Sequence, residues 1–167
     1  MNVTRTILDA LRQRHDQPRN GNSRAWIYVE EVRVSTGFGA AVERKYGEPW
    51  RVEGDQRIDA FALHTWPSKK YRRVAYEVKV SRSDLNRELD QSWKCEAALA
   101  LSNEFYLVAP MDVLIGGITD RFPETWGVMS FHKDQITTIK RALWRDTDLP
   151  PYSFMLSLAR NLQASSR

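Results

Sequence analysis

At 167 residues, with 42% apolar and 28% charged residues, the chain is most simply one soluble domain with room for a buried core. Its net charge of +4 and pI near 9.3 suit a polyanionic partner. No apolar run reaches the roughly 20 residues of a membrane helix, Met1–Arg5 carries no signal-peptide core, so a cytoplasmic location is expected, and the single Cys95 excludes an internal disulfide and a multi-cysteine zinc site.

Taken in order, Thr4 to His15 places Ile7, Leu8 and Leu11 at helical spacing and predicts a first helix. Asp16 to Asn22 breaks it. A strand follows over Ala25 to Val34, interrupted by Glu30 and Glu31, and Thr36-Gly37-Phe38-Gly39 turns the chain. Ala40 to Gly54 is ambiguous, a short helix through Glu43 and Lys45 followed by a loop. Two apolar runs, Arg57 to Leu63 and Arg73 to Val80, predict a strand-loop-strand pair around Trp66-Pro67-Ser68. Ser81 is an N-cap candidate with Asp84 three residues on. Leu85, Leu89, Trp93, Ala97 and Leu101 then repeat every four residues, the stripe of one long helix. Glu104 to Ala109 reads as a buried strand, which implies a parallel pairing across the helix. A Gly116-Gly117 loop, a hairpin over Gly127 to His132 and Ile136 to Lys140, and a helix from Tyr152 to Leu162 behind Pro150-Pro151 complete the chain. The result is an α/β class with a mixed central sheet flanked by helices, in one domain over residues 1–167 with 150–167 as a helical extension.

The chemistry concentrates on the strand pair. Alternation puts Glu77 and Lys79 on one face, with Tyr76, Val78 and Val80 on the other. A loop centred near Ser68 sets Asp59 opposite Glu77, so two carboxylates and an ammonium share one patch of sheet. Two carboxylates at a sheet end can hold Mg²⁺, which takes few carboxylates and several waters. A bound metal activates water, and a neighbouring lysine offsets charge that develops on a phosphoryl oxygen. The pattern fits phosphodiester hydrolysis, although charged residues on an exposed strand face are common and the motif alone is weak. Lys69, Lys70, Arg72 and Arg73 crowd the intervening loop beside Trp66 and Tyr71, and read either as a solvated loop or as a phosphate-backbone contact. His15, His64 and His132 have no metal or nucleophile spacing, and Gly116-Gly117 lacks the residues of a phosphate-cradling loop.

The run Tyr76-Glu77-Val78-Lys79-Val80-Ser81-Arg82-Ser83-Asp84-Leu85, with Arg57-Ile58-Asp59 before it and Asn103 to Pro110 after it, resembles the PD-(D/E)XK nuclease superfamily. Within it the segment is similar to MmcB-like DNA-repair proteins, over roughly Trp26 to Phe131. The resemblance implies a restriction-endonuclease-like core and a Mg²⁺- or Mn²⁺-dependent deoxyribonuclease acting in DNA repair, recombination or phage DNA processing. It implies Asp59, Glu77 and the Val78 carbonyl as metal ligands and Lys79 as the catalytic lysine. Arg57-Ile58 replaces the proline that usually precedes the aspartate. Many members add a glutamate from the first helix, where this chain offers only Asp9, more naturally helix surface. Glu31, in a Glu-Glu-Val-Arg run similar to the relatives, is the preferred extra acid, weighed against a surface strand residue. Ser81, Arg82 and Lys94 join the loop cations as expected DNA contacts, Lys94 being equally readable as solvated. DNA is the expected partner, no membrane is, and a homodimer is an arrangement found in the wider superfamily. The competing readings are a non-catalytic nucleic-acid-binding protein that keeps this fold, and a structural or inhibitory protein whose carboxylates pair with internal lysines.

Overall fold

The computed structural model describes residues 2–16, 18–19, 23–34 and 56–165. The turn expected at Thr36 to Gly39 and the ambiguous stretch to Gly54 lie outside them. Helix α1 (Val3–His15) starts where Asn2 accepts the Arg5 amide at 3.3 Å, a side-chain cap for an otherwise orphan N–H. A two-residue ladder, Pro18–Arg19 with Ser23–Arg24, leads to β1 (Trp26–Val34). The sheet continues with β2 (Gln56–His64), β3 (Arg73–Val78), β4 (Glu104–Pro110), β5 (Gly127–His132) and β6 (Gln135–Lys140), lying side by side in chain order. Strands β1 to β3 pair antiparallel, β3–β4 and β4–β5 parallel, and β5–β6 antiparallel again. This is the mixed α/β sheet expected from the sequence. The β5–β6 turn uses Lys133 and Asp134 at φ 47° and 59°, the left-handed pair of a tight two-residue hairpin.

Side-chain alternation divides the core into two layers. On one face α1 lays Ile7, Leu8 and Leu11 against Ala60, Ala62, Tyr76, Val78, Tyr106 and Val108. On the other face Phe61, Ala75, Phe105 and Leu107 meet Leu85, Leu101, Phe154 and Leu158 from α2 (Arg82–Asp90), α3 (Glu96–Leu101) and α4 (Tyr152–Ser165). Phe154 and Leu158 are fully part of this core, so the C-terminal helix is integral to the fold and not an appendage.

The long helix expected over Ser81 to Leu101 is in fact two. Ser81 caps it as expected, accepting the Asp84 amide at 3.2 Å. The helix stops at Gln91 (φ −124°, ψ 46°), passes through a 3₁₀ turn over Ser92–Cys95 and resumes as α3. The break brings the Cys95 thiol 2.9 Å from Glu88 Oε1. Seven residues of unbroken helix would hold them about 10 Å apart along the axis. Tertiary packing overrides the four-residue stripe here.

Candidate functional site

The ladder sets Ala60 against Tyr76 and Phe61 against Ala75, the register that puts Asp59 opposite Glu77. Asp59 Oδ2 accepts the Val78 backbone N–H at 2.9 Å. Both carboxylates therefore face the α2 side, next to Ala75 and Phe61. Lys79 follows β3, anchored by its own amide to Val108 O at 3.0 Å, and its Nζ lies 2.5 Å from Glu77 Oε1. The three residues singled out in the sequence are brought together.

A third acid completes the group. Glu88, on α2, reaches Lys79 Nζ at 2.9 Å with Oε2 while Oε1 accepts from Cys95. Sequence reasoning missed it, although its position three residues after Leu85 and beside Leu89 put a charge on the buried stripe of the helix. Asp59, Glu77 and Glu88 now oppose one ammonium, in surroundings where the Lys79, Glu77 and Glu88 side chains are only 16%, 16% and 10% exposed.

Burial first, and then that excess of negative charge, sets the protonation states. Burial and then the Asp59 carboxylate push Glu77 up to about 8. Burial also raises Asp59, although the Val78 N–H and Lys79 pull it back. For Lys79 burial works against the charge, but Glu77 and Glu88 outweigh it and hold the ammonium above its ordinary range. Burial, with Glu88 beside it, raises the Cys95 thiol and keeps it a neutral donor.

Glu77, Val78, Lys79 and Glu88 line a cleft of about 490 Å³, rimmed by Arg57, Arg87 and Lys94. Asp59 is not part of the cleft wall. Among the described residues no three His, Cys, Asp or Glu side chains form a ready-made metal cage. Mg²⁺ does not require one, since it is commonly held by one or two carboxylates and keeps its waters. The donor set fits such an ion: hard oxygens, desolvated, with more negative charge than Lys79 offsets.

The remaining candidates fall elsewhere. Glu31 is bent out of the ladder at φ 52°, with its side chain 64% exposed and 3.7 Å from Arg57 at the rim. Asp9 pairs with Arg5 on the surface of α1. The basic loop was expected beside the carboxylates, but it closes the far end of the β2–β3 hairpin, four residues or roughly 13 Å of strand from Glu77. Arg73 is buried there, with its guanidinium donating to the carbonyls of Leu101, Thr147 and Asp148. Arg72 pairs with Glu104, and Lys70 lies 5.7 Å over the Trp144 ring. Lys69 is exposed. Ser81 serves as a helix cap, and Arg82 donates to the Val113 and Ile115 carbonyls at 2.8 and 2.6 Å. His64 is buried at the loop end, its Nδ1 accepting the Trp66 amide at 3.2 Å. Lys94, at the cleft rim, is the one predicted DNA-contact cation placed beside the carboxylates; Arg57 and Arg87 join it there unforeseen.

No family model matches the sequence, and no curated protein is similar enough to count as a relative. A solved structure that it resembles is a protein of unknown function from Silicibacter pomeroyi, 15% identical, with a TM-score of 0.56 over 98% of this chain and 83% of the other. At that identity the likeness speaks to the α/β fold. Among the described residues no helix is long and apolar enough to cross a membrane.

Proposed function

We propose that the chain is a PD-(D/E)XK-type nuclease that hydrolyses DNA phosphodiester bonds with Mg²⁺ or Mn²⁺. One juxtaposition carries the reading: Glu77 and Asp59, both desolvated, face one another beside the Lys79 ammonium, at a cleft rimmed by Arg57, Arg87 and Lys94. In this reading Glu77, Asp59 and the Val78 carbonyl hold the ion, which supplies Lewis-acid polarisation and a more acidic water. Lys79, held above its ordinary pKa, is an ammonium at neutral pH. Its part is to donate to the phosphoryl oxygen as negative charge grows there, not to remove a proton. Glu88 orients that ammonium. The rim cations hold the phosphate backbone, a salt-sensitive contact.

The test is cleavage of linear duplex, single strand, flap and four-way junction with Mn²⁺, Mg²⁺ or EDTA, with Lys79→Ala and Glu77→Ala beside the wild type. Metal-dependent cutting that both variants lose, while keeping DNA affinity, supports the nuclease. A second reading, a non-catalytic DNA-binding protein with the same fold, is favoured by the closure of Glu77 and Glu88 onto Lys79. Salt-sensitive binding with no cutting by any metal would select it.

A further inference from the structure

A second cavity lies on the opposite face of the sheet. It has a volume of about 140 Å³ and is lined by Arg14 and His15 at the end of α1, by Trp26, and by Arg72, Tyr76 and Tyr106. Tyr76 projects to the α1 side, whereas its neighbour Glu77 projects to the α2 side, and the two cavities have no lining residue in common. The cavity also lies toward the loop end of β3, since Arg72 and Val74 line it and Val74 precedes Glu77 by roughly 10 Å of strand.

Its walls are mostly rings and cations, with the aliphatic Val74 and Met129 beside them. Tyr76 and Tyr106 stack at 6.0 Å and 25°, and the His15 ring meets Trp26 edge-on at 4.6 Å. Arg72 lies 5.8 Å over the Trp26 ring. Arg14 is exposed, with one long contact of 3.4 Å to Thr138 Oγ1. His15 Nε2 is 2.8 Å from the Tyr76 hydroxyl, while His15 Nδ1 and Arg72 Nε are buried polar atoms with no hydrogen-bond partner, a combination that native cores seldom keep without a reason. Burial, followed by Arg14 and Arg72, pushes the His15 pKa down to about 3, so the imidazole is neutral; Arg72 is ion-paired with Glu104, which leaves the Arg14 guanidinium to supply the positive charge of the walls. Aromatic faces and guanidiniums together favour a flat π-system that bears negative charge. A cavity near 150 Å³ holds a benzene-sized molecule, so the volume admits one six-membered ring and leaves the charged group at the Arg14 mouth.

We propose that this cavity is a second binding site, for a single flat six-membered ring that carries an anionic group. The ring could come from a free aromatic acid or from the pyrimidine and phosphate of a nucleotide, and both present the same chemistry to these walls. The site does not depend on the nuclease reading.

The experiment is calorimetric titration of the full chain with benzoate and with uridine monophosphate, against benzyl alcohol for the ring alone and inorganic phosphate for the anion alone. The expected result is saturable binding of benzoate or the nucleotide, stronger than that of either fragment. Arg14→Glu should weaken it about tenfold, the effect of one charge-assisted contact, and Lys79→Ala should leave it unchanged. Arg14 is exposed, so its exchange leaves the core intact. Tighter benzoate assigns a free acid and tighter nucleotide a base-and-phosphate ligand. The His15 imidazole resonances should shift on binding while those of His132 stay in place. Absence of saturable binding, equal affinity in Arg14→Glu, or equal loss in Lys79→Ala would overturn the proposal.

Discussion

Glu77→Gln isolates the charge imbalance of the acidic cleft. In the folded protein Glu77 holds its proton up to about 8, against an ordinary value of 4.5, so between those pH values the folded state binds a proton that the unfolded chain has released. Stability contributed by that proton is fully present below about pH 4.5 and is lost as pH rises through 8. At roughly 1.4 kcal/mol per unit, the loss reaches about 3 kcal/mol at pH 7 and about 5 kcal/mol above pH 8. Glutamine keeps an oxygen that can accept from Lys79 but has nothing to release, so its stability should stay flat where the wild type falls. Urea unfolding from pH 5 to 8.5 in EDTA reads the difference directly. A divalent ion that takes the place of the proton should then restore wild-type stability near pH 8 and do nothing for the variant. Parallel pH profiles for the two proteins would refute the reasoning, because Glu77 would then be ionised throughout.

Three further outcomes follow from the structure. His15 is neutral when folded, with its pKa lowered to about 3 from 6.5, so the stability it contributes is present above pH 6.5 and fades as pH falls. At pH 5 His15→Gln should recover about 2 kcal/mol of the wild type's acid-induced loss in the same urea assay. Arg73→Lys replaces a fork that satisfies the Leu101, Thr147 and Asp148 carbonyls by a single ammonium, and should cost about 2–3 kcal/mol of unfolding free energy in urea, with little change in DNA affinity. Gly127→Ala places a methyl 2.3 Å from the Tyr106 ring and 2.7 Å from the Ala142 amide, so thermal unfolding should show a loss of at least about 2 kcal/mol.

The six strand segments and the facing of Asp59 and Glu77 were legible because strand alternation and a short hairpin leave little choice of register. Lys79 followed from the same periodicity. Glu88 was not legible, since a helix stripe reports which positions are buried but not that one of them reaches a lysine on a neighbouring strand. The break at Gln91 was hidden for a related reason: the packing of Cys95 against Glu88 decides it, and no local propensity announces it. The basic loop misled because sequence proximity to Glu77 was taken for spatial proximity. A strand carries its ends apart, and side chains such as Arg73 that look free for phosphate are spent on carbonyls. The cations at the cleft rim come from β2, α2 and the turn after it, three segments that only the folded chain assembles.

The Arg73 fork also bears on how the C-terminal region resists attack. Residues 141–151 have no regular secondary structure, and such stretches are ordinarily where proteases cut and amides exchange fastest. Here the carbonyls of Arg145, Thr147 and Asp148 accept from Asn103 and Arg73, while the Arg145 guanidinium donates back to Leu99 and Ser102. A strap tied in this way opens only when the β3–β4 edge that anchors it opens. The Leu143 and Arg145 amides, which donate to the Thr125 and Asn103 carbonyls, should exchange on the timescale of the central strands, and limited trypsin digestion should spare Arg145 while it cuts at the exposed Lys69 and Lys70.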